Sequence, residues 1–319
     1  GRVVRMFCSI SYPDGRPFVC DTRSLLKKAI SDAESAGISF AFGPEMEFYL
    51  FQLDAEGQPT KTPYDNAGYM DIAPEDKCEN VRREICLLLE QMGIYPESSH
   101  HEEGPGQNEI DFRYSDPLTA ADNTLTFQAV VKTVAERNGL YADFSPKPLR
   151  HQPGNGFHIN ISVKGGNCED PLSHMIAGIL EHISELTVFL NPTVASYERF
   201  GGPKAPEYIS WSNQNRSQLI RVPAAVDAYR RAELRSPDPT TNPYLAFALL
   251  IYAGLDGIQQ KLPLPAPTDL NLFTASADIL AHLQRLPLTL REAATLAANS
   301  SFVSKHLPKT IIQTYYNQR

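Results

Sequence analysis

Four segments of this chain alternate, residue by residue, between apolar side chains and polar side chains of one chemical kind. In Phe42–Phe51 (FGPEMEFYLF), Glu45 and Glu47 oppose Met46, Phe48 and Leu50. In Gly106–Tyr114, Gln107, Glu109, Asp111 and Arg113 oppose Asn108, Ile110 and Phe112. In Asn155–Val163, His158, Asn160 and Ser162 oppose Phe157, Ile159, Ile161 and Val163; in Arg231–Pro237, Arg231, Glu233 and Arg235 oppose Ala232 and Leu234. A period of two is that of a β-strand, whose successive side chains leave opposite faces. An ordinary solvated antiparallel sheet alternates too, but its wet face carries Lys, Ser and Thr, whereas here it carries carboxylates, an imidazole and guanidinium groups. The pattern predicts a sheet with one face on a core and the other set with reactive groups.

Between these strands lie helical patterns. Thr22–Gly37 places Leu25, Leu26, Ala29, Ile30 and Ala33 on one face, with Thr22 read as the N-cap and Gly37 as the stop. A second helix is expected from about Pro74 to Met92, a third from Asp116-Pro117 to Asn138-Gly139, and a fourth from about Pro171 to Leu190. A fifth begins near Thr241-Asn242-Pro243 and is apolar all round, which predicts a central position. Its apolar run, Tyr244 to Leu255, is too short for the ~20 residues that a bilayer demands. Of 319 residues 42% are apolar, enough for one large or two ordinary domains with a proper core. Acidic residues (37) outnumber Lys and Arg (29) for a net charge of -8, which argues against a nucleic-acid partner. Nothing at the start reads as a signal peptide. Cys8, Cys20, Cys78, Cys86 and Cys168 are scattered without a C-x-x-C pair, so a reducing cytoplasm is expected and a disulfide framework or zinc site is not.

If the polar faces converge, Glu45, Glu47, Glu102, Glu109 and Glu233 bring five carboxylates together with His158. Such a cluster repels itself unless cations balance it. Hard oxygen ligands with a single imidazole suit Mg²⁺ or Mn²⁺ better than zinc. Arg199, Arg216, Arg221, Arg231 and Arg235 then read as clamps for carboxylate and phosphate. Metals and arginines together imply phosphoryl transfer from a nucleotide, where neutralising charge is most of the catalysis.

Taken in order, GPEMEFYLF, HHEEGPGQNEIDFRY, NGFHINISV, NQNRSQLIRVPAA and RAELRSPDPTTNPYLAFALLIYAGLDGI closely resemble the catalytic domain of type I glutamine synthetases, from about Val3 to Arg319. That resemblance implies an α+β fold, a curved and mainly antiparallel sheet forming a funnel with helices outside. It implies that Glu47, Glu102 and Glu109 hold one metal and Glu45, His158 and Glu233 a second. Arg199 would take the α-carboxylate of the substrate and Arg235 would face its γ-carboxyl group. Arg216 and Arg221 would contact ATP phosphates, Arg231, Glu97 and Ser162 would line the nucleotide pocket, and Gly154 would meet the substrate amino group. The implied reaction has two steps: ATP phosphorylates the γ-carboxylate of glutamate, then ammonia or an amine displaces phosphate to leave an amide. The resemblance also implies a homo-oligomer, a dodecamer in relatives.

Several positions depart from the family's pattern. RFGGPKAPE carries Lys204 where a glutamate usually precedes Ala-Pro, with Glu207 three residues on as the candidate replacement. Pro153 stands where an asparagine is usual, and DLNLFT has Asn271 where some relatives carry a modified tyrosine. Residues 1–22 are read as the remnant of an amino-terminal β-grasp domain and 23–319 as the catalytic domain. Two functions follow: an ATP-dependent carboxylate–amine ligase, or a catalytically impaired homologue that keeps nucleotide and metal binding or an assembly role.

Overall fold

The first alternating segment lies inside one long strand, β1 (Ile38–Leu53), that pairs with more of the chain than any other element. The structure is a computed structural model and describes residues 4–166, 168–202, 204–225 and 229–317. Around β1 runs a nine-stranded sheet, among the described residues, in the order β3 (Pro96–His101), β4 (Gln107–Phe112), β1, β6 (Phe157–Gly165), β9 (Ala232–Leu234), β8 (Ile220–Val222) and β7 (Trp211–Asn213). The short β2 (Pro59–Pro63) and β5 (Leu140–Asp143) pair with β1 off that path. Every pairing is antiparallel except β7 with β8. The α+β class expected from the sequence is the one observed.

Register follows from the alternation. Glu47 lies opposite Glu109, and Glu45 lies opposite Asp111 on one side and His158 on the other. Asn160 faces Glu233, which faces Arg221. The opposite face of β1 presents Phe42, Met46, Phe48 and Leu50, all buried. Phe42 stacks on Phe247 at 4.3 Å between centroids, and Phe48 packs with Phe127 and Phe144. Sheet order thus delivers one apolar layer to the helices and one polar layer to the opposite side.

The helices on the apolar side are α1 (Thr22–Ser35), α3 (Pro117–Arg137), α4 (Pro171–Leu190) and α6 (Pro243–Gln260). Asp116, Asp170 and Asn242 accept N–H groups of the first turns of α3, α4 and α6, each followed by Pro as the first helical residue. The N-cap of α1 is Asp21, one residue before the one the sequence suggested. α6 is buried nearly all round, and α4 crosses it so closely that a Cβ on Gly178 or Gly257 would strike the other helix's backbone. α2 (Glu79–Gln91) begins five residues later than Pro74, because Asp76 accepts the Cys78 N–H and grips Arg82, fixing a turn ahead of the helix. The short α8 (Leu290–Asn299), α9 (Ser301–His306) and α10 (Lys309–Asn317) were not anticipated. Residues 4–21 form no named strand, only an isolated bridge between Ser11 and Pro17; residues 1–3 lie outside the described residues.

Candidate active site

The polar face of the sheet lines a cavity of ≈ 190 Å³ into which Glu45, Glu47, Glu102, Glu109, Asp111 and Glu233 all open. Glu45, His158 and Glu233 each bring a ligand atom within 4.8 Å of the others, as the sequence suggested. Glu102 and Glu109 are likewise brought together, but their third neighbour is His100, at 3.2 Å from Glu102 Oε1 and 3.6 Å from Glu109 Oε2. Glu47 lines the same cavity, yet its Oε2 accepts the Gly156 N–H (2.8 Å) and the Gln107 Nε2–H (3.1 Å). Its Oε1 is buried without a partner, as is His158 Nε2.

So many carboxylates in one buried place shift one another. Burial, then the charge of Glu102, pushes Glu47 up to about 7. Glu109 lies well above the usual carboxylate range, through burial and the charges of Asp111, Glu47 and Glu45; Asp111 is raised by burial and Glu45. Burial acts against the Glu102 carboxylate too, but a hydrogen bond from His100 and the charge of Lys204 outweigh it and hold it low. Burial and the Arg235 charge drive His158 well below its ordinary value, which leaves a neutral imidazole able to ligate. Orphaned buried oxygen and nitrogen atoms, with carboxyls unable to ionise side by side, are what a site for divalent cations looks like before the cations are considered.

The arginines separate into two kinds. Arg221 donates to Glu233 Oε2 at 2.7 Å and Arg235 to Glu233 Oε1, while Arg235 Nε donates to the Arg216 carbonyl at 3.1 Å. Arg216 donates to the Tyr69 hydroxyl at 3.3 Å and lines the cavity. Arg231 Nε donates to Asn160 Oδ1, whose amide donates to Glu45 Oε1 at 2.6 Å. Arg199 is fully buried beside the cavity, with Nη1 and Nη2 on the carbonyls of Ser236 and Pro237 and Nε free. Gly154 packs so tightly on Arg199 that a Cβ there would lie 2.6 Å from its Cγ. A second cavity of ≈ 280 Å³ shares Glu45 and Asp111 with the first and is lined by Glu97, Ser162 and Arg231, the three residues expected around a nucleotide.

One expectation is corrected. Glu207 does not reach the cluster: it faces Arg285 at 3.6 Å, because Leu286 N–H donates to the Glu207 carbonyl and fixes that stretch against the 284–286 segment. Lys204 takes the position instead, its Nζ on Glu102 Oε2. Asp111 joins the carboxylates of the cavity, and Trp211 donates its Nε1–H to the Pro265 carbonyl. Asn271 lies in an exposed turn.

The sequence marks His100 and His101, beside Glu102, either as hydrogen-bond partners of the metal ligands or as ordinary strand-edge histidines; Asp65 behind them carries no such mark. His101 Nδ1 lies 2.7 Å from the Glu102 carbonyl and Nε2 lies 2.9 Å from Asp65 Oδ1. Burial opposes charge on this ring, but the Asp65 carboxylate outweighs it and raises the pKa; Asp65 itself is held down at about 2 despite its burial. Asp65, Asp76, Cys78 and His101 also cluster within 4.8 Å, yet their hydrogen bonds point at one another, at Arg82 and at backbone groups, so they buttress rather than ligate. Tyr49 donates to the Pro153 carbonyl and Gln107 to the Gly154 carbonyl, pinning the loop before β6. The alternation puts Gln107 on the polar face but does not say that its amide holds a loop.

Residues 19–319 match the family of glutamine synthetase catalytic domains. The chain is 46% identical to a glutamine synthetase of Methanosarcina mazei and 44% identical to one of Clostridium saccharobutylicum, in each case over 99% of this chain and 74% of the relative. It is 42% identical to a glutamine synthetase of Staphylococcus aureus, over 100% of this chain and 75% of that protein. Two solved structures of GmaS, one an ADP complex and one without ligand, superpose with TM-scores of 0.85 and 0.82 at 30% identity, covering 95% of this chain and 74% of theirs. The carboxylate-lined sheet and these matches define the class, a ligase that forms C–N bonds. The chain belongs to the glutamine synthetase family by its catalytic domain, spanning about three quarters of the curated relatives' length. Among the described residues no helix is long and apolar enough to cross a membrane.

Proposed function

We propose that this chain is an ATP- and divalent-cation-dependent ligase joining the γ-carboxylate of glutamate, or a close analogue, to ammonia or a primary amine. One observation carries this reading: six carboxylates and a neutral imidazole face arginines across one cavity that shares Glu45 and Asp111 with a second, lined by Glu97, Ser162 and Arg231. Glu45, His158 and Glu233 fit one Mg²⁺ or Mn²⁺; Glu102 and Glu109, with Glu47 close by, fit another. Bound there, divalent cations would neutralise charge on the transferring phosphoryl group.

In the first step a γ-carboxylate oxygen attacks the terminal phosphorus of ATP, the bond to the leaving ADP oxygen breaks, and an acyl phosphate forms. In the second, the amine nitrogen adds to the acyl carbon, loses a proton, and expels inorganic phosphate. Arg235, anchored by Glu233 and the Arg216 carbonyl, is aimed to hold the γ-carboxylate. Arg199 is the partner for the α-carboxylate, and Gly154, whose missing side chain leaves room for Arg199 itself, is the backbone position that meets the substrate amino group. Arg216 and Arg221 face the phosphates, while Glu97, Ser162 and Arg231 line the nucleotide cavity. By the family resemblance the working form is a cytoplasmic homo-oligomer, and residues 1–22 belong to a front domain; light scattering tests the first of these directly.

The decisive assay is phosphate release from ATP with Mg²⁺ or Mn²⁺, glutamate and a panel of amines including ammonia. Release that depends on both acid and amine supports the proposal, and its absence for every pair refutes it. A homologue that binds nucleotide without turnover is favoured by one observation, the Lys204 contact with Glu102. Calorimetric nucleotide binding without phosphate release would support that reading.

A further inference from the structure

Between α5 (Val194–Tyr197) and β7 the chain turns Lys204 inward. Its Nζ donates to Glu102 Oε2, lies 3.6 Å from Glu103 Oε1 and stands 4.4 Å from the centre of the Tyr69 ring. Tyr69 is held in turn by an edge-on contact with His100 at 5.6 Å and by the hydrogen bond from Arg216. Two carboxylates and an aromatic face around one ammonium are the surroundings of a bound cation. The Lys204 side chain is only 16% exposed, and its backbone holds a φ of 65°, a region that residues other than glycine seldom adopt.

The carboxylate that Lys204 occupies is not a spare one. Glu102 stands with His100 and Glu109 in a group of ligand atoms within 4.8 Å. The Glu45–His158–Glu233 group, by contrast, forms no ion pair with a lysine among the described residues, and its balancing charges, Arg221 on β8 and Arg235 just after β9, belong to the sheet. One half of the site is therefore balanced by fixed guanidinium groups, and the other by an ammonium on a connecting segment.

We propose that Lys204 is a tethered cation: its ammonium fills the Glu102 half of the site in the free protein, and a divalent cation enters that half only as the lysine withdraws. Binding of the second ion is thereby coupled to the seat of the Lys204 side chain. The inference rests on the reading that these carboxylates hold divalent cations. If Lys204 is seated in roughly nine molecules of ten, it weakens the apparent affinity of the Glu102 half by about tenfold.

The test is Mn²⁺ binding to the full chain, followed by the paramagnetic resonance signal of the free ion, for the unaltered protein and for K204Q, K204R and E233Q. Two classes of site are expected. The weaker class tightens about tenfold in K204Q, stays weak in K204R, and survives in E233Q while the stronger class is lost. Two classes with K204Q unchanged or weakened overturn the proposal and leave the metal reading intact. No Mn²⁺ bound by either the unaltered protein or K204Q overturns both. A second readout is the acetylation rate of Lys204, measured by mass spectrometry. It rises on adding Mn²⁺ if the lysine withdraws, and an unchanged or slower rate refutes the coupling.

Discussion

Arg82 gives the sharpest test of what holds the site in place from behind. It is 5% exposed on α2, and its guanidinium makes a two-pronged contact with the buried Asp76 (2.7 and 3.2 Å). The same group donates to Asn108 Oδ1 on β4 at 2.7 Å and to Ser99 Oγ on β3 at 3.2 Å. Asn108 precedes Glu109, so this contact sets the strand that carries a site carboxylate. In Arg82→Leu, Asp76 keeps only the Cys78 N–H, and Asn108 and Ser99 lose a buried donor. Removing one partner of a buried ion pair costs about 3–5 kcal/mol, because a charge is left uncompensated in a medium of low polarity. Asp76→Asn should cost a similar amount. The double variant should cost little more than either single one, since the second change no longer strands a charge. Urea unfolding followed by circular dichroism reads all four proteins. A loss below ~1 kcal/mol for Arg82→Leu, or losses that add to within ~0.5 kcal/mol, would refute the buttress.

Other expectations are simpler. Gly178→Ala puts a methyl group into the Ala253 carbonyl and the Gly257 backbone and should destabilise by about 1–3 kcal/mol, seen as a lower Tm. Arg235→Met should lower kcat/KM about 100-fold or more for phosphate release with the far-ultraviolet spectrum unchanged; a fall of less than about threefold would remove Arg235 from the γ-carboxylate. His182 lies 2.6 Å from Glu185 and 2.9 Å from Asp256. Burial lowers its pKa, the two carboxylates more than restore it, and the net shift is upward, while Glu185 and Asp256 are shifted down. A raised histidine stabilises fully below its unfolded value of ~6.5 and loses this as pH rises through the folded value; lowered carboxylates lose theirs as pH falls below ~4. The Tm advantage of the unaltered protein over His182→Gln should therefore be largest near pH 5.5 and shrink by pH 8.5, and a difference that grows with pH would contradict the assignment.

Much of the site was legible because β-strands convert sequence spacing into spatial side. Glu45, His158 and Glu233 came together from three strands because each sits at the polar phase of an alternation, and register did the rest. Helices α3, α4 and α6 announced themselves through an Asp-Pro or Asn-Pro start. Glu207 was misread because a loop has no periodicity to say which way a side chain turns; its direction was set by backbone pairing with the stretch at Leu286. Lys204 was visible as an odd residue, but its seat on Glu102 depends on a left-handed backbone that no spacing reveals. Asp65 is hidden for another reason: it meets His101 in space across 36 positions, and through that ring it supports the carbonyl of Glu102. The helices near the carboxyl end are legible as well: Leu290, Ala293, Ala294 and Ala297 recur at helical spacing in α8 and are its buried face, a signal the sequence reading passed over.

β1 has one further consequence. Its even-numbered side chains Met46, Phe48 and Leu50 belong to the core, and its odd-numbered Glu45 and Glu47 belong to the chemistry. A slip of one residue would push carboxylates into the oil and phenyl rings into the cavity at the same moment. Insertions or deletions within 38–53 are thus forbidden twice over, and lineages of this enzyme should vary in length only where the ladder has ended, as in the turn at 54–58. For this strand, proofreading the fold and proofreading the catalyst are one operation.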